Sequence, residues 1–294
     1  MVYYYFVVVA ISKEGSIMSE DKDKSCCENV SDQGCCGSVG SQPSSAQSME
    51  EAVKESYGKR WASLKASVSA KPESLASLQS AHEALLKELK PREGMKVLDI
   101  GSGSGETVLA IAEKVGKTGK AVGVDFSPEG IKLAKRQAEQ RGLEAVTEFH
   151  QANAVELPFH DNTFDAVVSE CVVCLIQDKQ KALNEKVRVL KTGGRVIMHD
   201  VITWAPMPKA MREDKGLYCG CVGGAVSLDE YVSMMKEAGL TAIKTVDFTR
   251  AANKMNTDDV AEALNIRKIK GANEVIEYVR KGGIGYALLI GTKK

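Results

Sequence analysis

Apolar positions change their period along the chain. Between Met49 and Leu89 they recur with helical spacing, predicting one helix over Met49–Val68 and a second over Pro72–Leu89, with Pro72 in its first turn. Short apolar runs then alternate with amphipathic stretches. Val97–Ile100, Ala121–Val124, Val146–Gln151, Phe164–Glu170 and Gly194–Asp200 read as strands, with Glu106–Val115, Pro128–Gln140 and Lys179–Leu190 as helices among them. Ser127-Pro128 opens its helix as a cap followed by proline. This alternation predicts an α/β fold, a doubly wound and mostly parallel sheet covered by helices on both faces. Residues 202–226 carry few strand signals and read as a lid. Ser227–Ala238 is helical, capped by Ser227 and stopped by Gly239. Leu240–Phe248 and Ile284–Thr292 complete a seven-stranded sheet as a hairpin-like pair around a helical insertion at 257–280. The organisation expected is therefore a tail over 1–48, a helical cap over 49–90 and one domain over 91–294.

Ligands of such sheets lie beyond the carboxyl ends of the strands. The first strand ends there in Asp99-Ile100 and breaks into Gly101-Ser102-Gly103-Ser104-Gly105 before the helix at Glu106. Glycines let the backbone turn tightly and a ligand approach without a Cβ in the way, and the loop turns the first N–H groups of the helix toward it. The spacing is G-x-G-x-G, not the dinucleotide G-x-G-x-x-G, and no Lys-Ser/Thr follows, which excludes a P-loop. The second strand ends in Asp125, placed to accept both hydroxyls of a ribose.

Composition narrows the partners. Basic and acidic residues balance at 39 each, so no field favours nucleic acid or an anionic membrane. The apolar run Met1–Ile11 is too short to span a bilayer and has no basic residues ahead of it. It reads as an over-extended start, with Met18 as the natural beginning. Residues 19–48 are polar and read as disordered unless a metal or metalloid folds them through Cys26-Cys27 and Cys35-Cys36. Eight cysteines are too few for a disulfide scaffold of this length, and their grouping points to thiol chemistry or metal binding in a reducing compartment, here the cytoplasm.

The glycine loop LDIGSGSG followed by VGVD resembles the S-adenosylmethionine-dependent methyltransferases of the Rossmann-like class. Two further contexts sharpen the likeness. Cys171 follows the fourth strand ahead of Leu175, Asp178 and Lys179, and Cys221 sits in Gly220-Cys221-Val222-Gly223-Gly224-Ala225. Together with the loop these resemble the arsenite methyltransferases over about residues 50–248. The resemblance implies methylation of thiol-bound trivalent arsenic, with Cys171 and Cys221 as arsenic ligands. It implies S-adenosylmethionine as cofactor, held by Asp99, Gly101, Ser102, Gly103 and Gly105 from the loop. Asp125, Phe126, Asn153, Ala154 and Glu170 complete the expected cofactor set, and the cap places Tyr57 and Gly58 near the cofactor mouth. It also implies arsenite or its thiol conjugates as substrate and a thiol reductant such as thioredoxin or glutathione. The chain departs from the family's pattern at Glu170 and Cys174, where asparagine is usual, at Cys219, where glycine is usual, and at Asn153, where aspartate is common.

Soft trivalent arsenic binds thiolates strongly and keeps a lone pair with which to attack a sulfonium methyl. Such a reaction needs alignment and a dry site rather than a base. Other assignments remain open on the residues alone. Cys174 lies in an apolar run, as a buried small hydrophobe would. Cys171-x-x-Cys174 with Cys219-x-Cys221 supplies four sulfurs suited to structural zinc. A methyltransferase for a small carbon or oxygen nucleophile, such as a quinone precursor, and a non-enzymatic metalloid binder are the competing functions. His160 and His199 read as surface or rim residues, and Asp200 as lining or capping the substrate end of its strand.

Overall fold

The computed structural model describes residues 45–63, 76–249 and 272–294. The tail with Cys26, Cys27, Cys35 and Cys36, the Met18 start and most of the 257–280 insertion lie outside the described residues.

In chain order the elements are α1 (Ser45–Ser63), α2 (Ala76–Leu89), β1 (Lys96–Ile100), α3 (Glu106–Val115), β2 (Lys120–Asp125), α4 (Pro128–Gln140), β3 (Thr147–Gln151) and β4 (Phe164–Glu170). They continue with α5 (Lys179–Val189), β5 (Leu190–Thr203), α6 (Lys209–Glu213), α7 (Lys215–Cys219), β6 (Val226–Ser227), α8 (Leu228–Glu237), β7 (Leu240–Asp247), α9 (Ala272–Arg280) and β8 (Ile284–Lys293). The sheet runs β3-β2-β1-β4-β5-β8-β7, and the two-residue β6 pairs beside β5. Strands β1 to β5 are parallel; β8 lies antiparallel between β5 and β7. The fold is that of a class I methyltransferase.

Strand alternation distributes the core over both faces. Leu98, Val122, Val167 and Val196 pack with Leu183 and Val187 of α5 and Tyr231 and Met235 of α8. Val97, Ala121, Ala166 and Ile197 pack with Leu85 of α2, Val108 of α3 and Ile131 of α4. Successive residues of one strand thus serve opposite layers, which is why these strands are apolar almost throughout.

Strand β5, which begins at Leu190 and not at Gly194, and the lid depart most from the periodicity. Strand β5 extends past Asp200 to Thr203 because β8 pairs with it from Arg195 opposite Thr292 to Thr203 opposite Ile284. The lid is also more regular than its composition implies, containing α6, α7 and a tight turn. Asp214 caps α7 by accepting the Leu217 N–H, and Ser227 opens α8 with a reciprocal capping box to Glu230.

Candidate active site

A cavity of about 370 Å³ opens at the carboxyl ends of β1 and β2. Its wall includes Gly101 and Ile100, Asp125 and Phe126, Asn153 and Ala154, Val172 and Leu175, and Tyr57 from α1. Gly101, Gly103 and Gly105 have φ of 75°, 50° and 88°, the left-handed region that glycine enters without penalty. A Cβ on Gly101 would meet Val172 Cγ2 at 2.3 Å. Gly105 is the N-cap of α3 and carries no side chain to cap it, so the first N–H groups of the helix have no side-chain acceptor from the cap residue. Ser102 Oγ is buried without a hydrogen-bond partner.

Asp125 is the anchor of this loop. Its oxygens accept the N–H groups of Gly103 at 2.9 Å and Ser127 at 2.8 Å. Burial nevertheless pushes its carboxyl up to about 6, against those hydrogen bonds. Asn153 lines the same wall with Oδ1 accepting from Val155 N at 3.2 Å and Nδ2 donating to Glu50 at 3.1 Å. Phe126 meets the Tyr57 ring edge-on, with centroids 6.1 Å apart.

Not every residue expected to hold the cofactor reaches the cavity. Asp99 is buried behind the loop, where desolvation, and then the Glu170 charge, raise its carboxyl well above the usual range. Glu170 is turned away from the cavity wall. Its carboxylate lies 2.6 Å from His199 Nε2 and 3.0 Å from His82 Nδ1, and accepts from Thr107 Oγ1. His199, expected at the surface or rim, is buried at 4% exposure by this pairing; His160 is exposed. Sequence pattern gave no sign of the His82–Glu170–His199 cluster, because its members come from α2, β4 and β5.

The two expected substrate cysteines do meet. Cys171 and Cys221, fifty positions apart, belong to one buried cluster that also holds Cys174. Both have positive φ, 52° and 68°, uncommon for residues with a Cβ and concentrated at functional sites. Cys221 Sγ lies 3.6 Å from the Cys171 carbonyl oxygen and 3.6 Å from Tyr57 Oη, which joins the thiols to the cavity wall. Hydrogen bonds from the Cys171 and Cys174 thiols hold Cys221 well below the usual thiol range. The same bond to Cys221, with burial, keeps Cys171 well above it, and burial does so for Cys174. The three thiols therefore share hydrogen bonds and titrate as one coupled group.

Asp200 organises the loop from below. Its Oδ2 accepts the N–H groups of Val173 at 2.9 Å and Cys174 at 3.3 Å, and its Oδ1 that of Val201 at 2.9 Å. It is wholly buried and holds backbone, a role more specific than lining or capping a strand. Lys186, also wholly buried, donates to Ser169 Oγ at 2.7 Å, and burial lowers its ammonium to about 8 despite the charges of Asp200 and Asp99. Cys219 is only half-buried. Among the described residues no group of three or more His, Cys, Asp or Glu is arranged to hold a metal ion.

Residues 91–239 match the family described as methyltransferase domain, about half of the chain. The chain belongs to that family. The methyltransferase is 38% identical over 151 residues to an arsenite methyltransferase of Halobacterium salinarum, a match covering 51% of this chain and 38% of that protein. It is 40% identical over 107 residues to a ubiquinone/menaquinone biosynthesis C-methyltransferase of Idiomarina loihiensis, covering 36% and 43%. The chain thus spans less than half the length of either relative. The structure superposes on phosphoethanolamine N-methyltransferase 2 of Haemonchus contortus in complex with S-adenosyl-L-methionine, with a TM-score of 0.58 and 20% identity over 73% of this chain and 52% of that one. S-adenosylmethionine is the cofactor of the fold, and the left-handed glycine loop, the uncapped helix start and Asp125 at the end of β2 fit it. No described helix is long and apolar enough to cross a membrane.

Replacing Asp125 with alanine is expected to weaken S-adenosylmethionine binding by about 1–3 kcal/mol, the range for a charged hydrogen-bond acceptor. Calorimetry on the variant measures this, and an unchanged affinity removes the ribose assignment. The elevated carboxyl adds a pH signature. Above pH about 6 the carboxylate accepts hydrogen bonds with both oxygens, and below it a proton occupies one of them. Cofactor affinity in the parent protein should therefore fall as pH drops through about 6, and this slope should vanish in Asp125→Ala.

Proposed function

We propose that the methyltransferase methylates trivalent arsenic held between Cys171 and Cys221, an arsenite methyltransferase activity serving arsenic detoxification in the cytoplasm. The observation that carries this reading is the meeting of these cysteines from separate segments. Each has left-handed backbone, and their thiols lie together beside the cofactor cavity. Arsenite or a thiol conjugate gives up a ligand to each sulfur, and each thiol proton leaves with the displaced group. The arsenic lone pair then forms the new bond to the sulfonium methyl, whose old bonding pair remains on the departing thioether sulfur. Arsenic is formally oxidised in that step, and a thiol reductant such as thioredoxin or glutathione returns the electrons. The similarity to arsenite methyltransferases supports the same reading.

A second reading, methylation of a small carbon or oxygen nucleophile such as a quinone precursor, is favoured by the similarity to the C-methyltransferases of quinone biosynthesis. It would need a base at the cavity and would leave the thiols incidental. Product analysis separates the two. With arsenite, S-adenosylmethionine and a thiol reductant, methylated arsenicals are the expected product. Methylation of a demethylated quinol with none of arsenite would overturn the arsenic reading.

A further inference from the structure

Cys171 lies at the end of a hydrogen-bonded chain that the arsenic chemistry above leaves unused. Its Sγ is 3.1 Å from Tyr286 Oη, and that hydroxyl is 2.5 Å from His199 Nδ1. His199 Nε2 is 2.6 Å from Glu170, and His82 contacts the far side of the same carboxylate. Sheet register builds the chain. Tyr286 on β8 stands opposite Val201 on β5, and His199 lies two residues along β5 on the same face. Glu170 pairs with His199 across β4 and β5, and Cys171 follows Glu170 with its N–H on the His199 carbonyl. Tyr286 and His199 are 5% and 4% exposed, so water does not compete for these bonds.

Glu170 closes the chain, with both oxygens within hydrogen-bond distance of His82 Nδ1 and Oε2 also of His199 Nε2. His199 is thus held at both ring nitrogens, Nε2 against Glu170 and Nδ1 against Tyr286. The Tyr286 hydroxyl lies between His199 Nδ1 and Cys171 Sγ, so its position fixes that of the sulfur.

We propose that Tyr286 is a positioning residue for Cys171, its hydroxyl fixed by His199 so that its hydrogen bond holds the sulfur beside that of Cys221. When arsenic replaces the thiol proton, the Tyr286 hydroxyl, still held by His199, keeps the sulfur in place. The sulfur is then aligned to bind. Glu170 and His82 act one step further out, keeping the His199 ring in its orientation. This inference rests on the arsenic reading.

Tyr286→Phe tests it, because the variant keeps the ring and removes the hydroxyl. Phenylarsine oxide, a trivalent arsenical with two exchangeable valences, probes the thiol pair directly. Arsenite kinetics and cofactor calorimetry are run beside it. Cofactor affinity should stay within about twofold of the parent, while the arsenite KM and the phenylarsine oxide Kd each rise about tenfold and kcat falls less. A ring that served packing alone would leave both constants unchanged, and that result overturns the inference. If Tyr286→Phe loses cofactor binding, His199→Phe carries the test, since it removes the imidazole that fixes the Tyr286 hydroxyl while His82 and Thr107 still hold Glu170. A KM for arsenite raised in the same sense supports the role, and an unchanged one overturns it. A parent protein that binds no phenylarsine oxide and methylates no arsenite overturns the arsenic reading, and this inference with it.

Discussion

Serine in place of Cys171 or Cys221 abolishes arsenite methylation while S-adenosylmethionine still binds: this is the expected result with the largest effect on activity. Serine nearly matches cysteine in size but is a hard, weakly ionised ligand, so the substitution tests softness and not packing. Both positions are buried and both have left-handed backbone, which serine tolerates no better and no worse than cysteine. Cofactor binding should persist because neither sulfur lines the cavity, although Val172, next to Cys171, does. The two thiols act as one site, so the double variant should be little worse than either single one. Cys174→Ser should fall between, since its thiol is buried and bonds to Cys221, and Cys219→Ser should be mild, since that side chain is half-buried. Kinetics of arsenite methylation with parallel calorimetry of the cofactor measure all five proteins. Near-parental turnover by Cys171→Ser or Cys221→Ser would refute the mechanism.

Gly224→Ala is the second large effect, and it acts through structure. A Cβ at Gly224 would stand 1.9 Å from the Cys174 carbonyl oxygen and 2.9 Å from the Tyr218 ring. The carbonyl belongs to the short helical turn Val173–Leu175, whose N–H groups are held by Asp200, so it cannot swing aside cheaply. Either the lid turn lifts or the Cys171–Cys174 loop moves, and both separate Cys221 from its partner thiols. Overpacking of this kind costs about 1–3 kcal/mol, occasionally more. Denaturant unfolding of the variant should show that loss. Arsenite turnover should fall much further than cofactor affinity, because the contact lies on the lid side of the cavity. A variant with parental stability and turnover would mean that the lid turn is free to shift.

Much of the framework was legible along the chain. The change from helical to alternating apolar period placed β1 to β5 and their helices, since strands buried on both faces must be apolar and short. Gly101, Gly103 and Gly105 announced a loop that only residues without a Cβ can form, and all three have left-handed backbone. Asp125 was marked by its place at a strand end, because topology alone puts that residue beside the loop. Cys171 and Cys221 were marked by local context, and each needed nothing from the other to be noticed.

Contacts between distant segments were decided only by the tertiary structure. Glu170 stands where the family's pattern suggested a cofactor contact, yet hydrogen bonding with His82 and His199 turns it inward, and no local pattern reports partners 88 and 29 positions away. His199 occupies a strand position whose exposure depends on what covers that face; β8, entering antiparallel between β5 and β7, brings Tyr286 over it. Lys186 was legible only as one charge on an amphipathic helix, because a sequence does not say which buried anions a lysine will find. Cys174 looked like a small apolar residue and is one by burial, but the Asp200 carboxylate fixes its backbone and aligns its thiol with Cys221. Hydrophobic period depends on a residue's neighbours along the chain and survives in the sequence. Proton sharing, ion pairing and steric contact depend on a few ångströms between segments far apart in the chain, and exist only once the sheet has set its register.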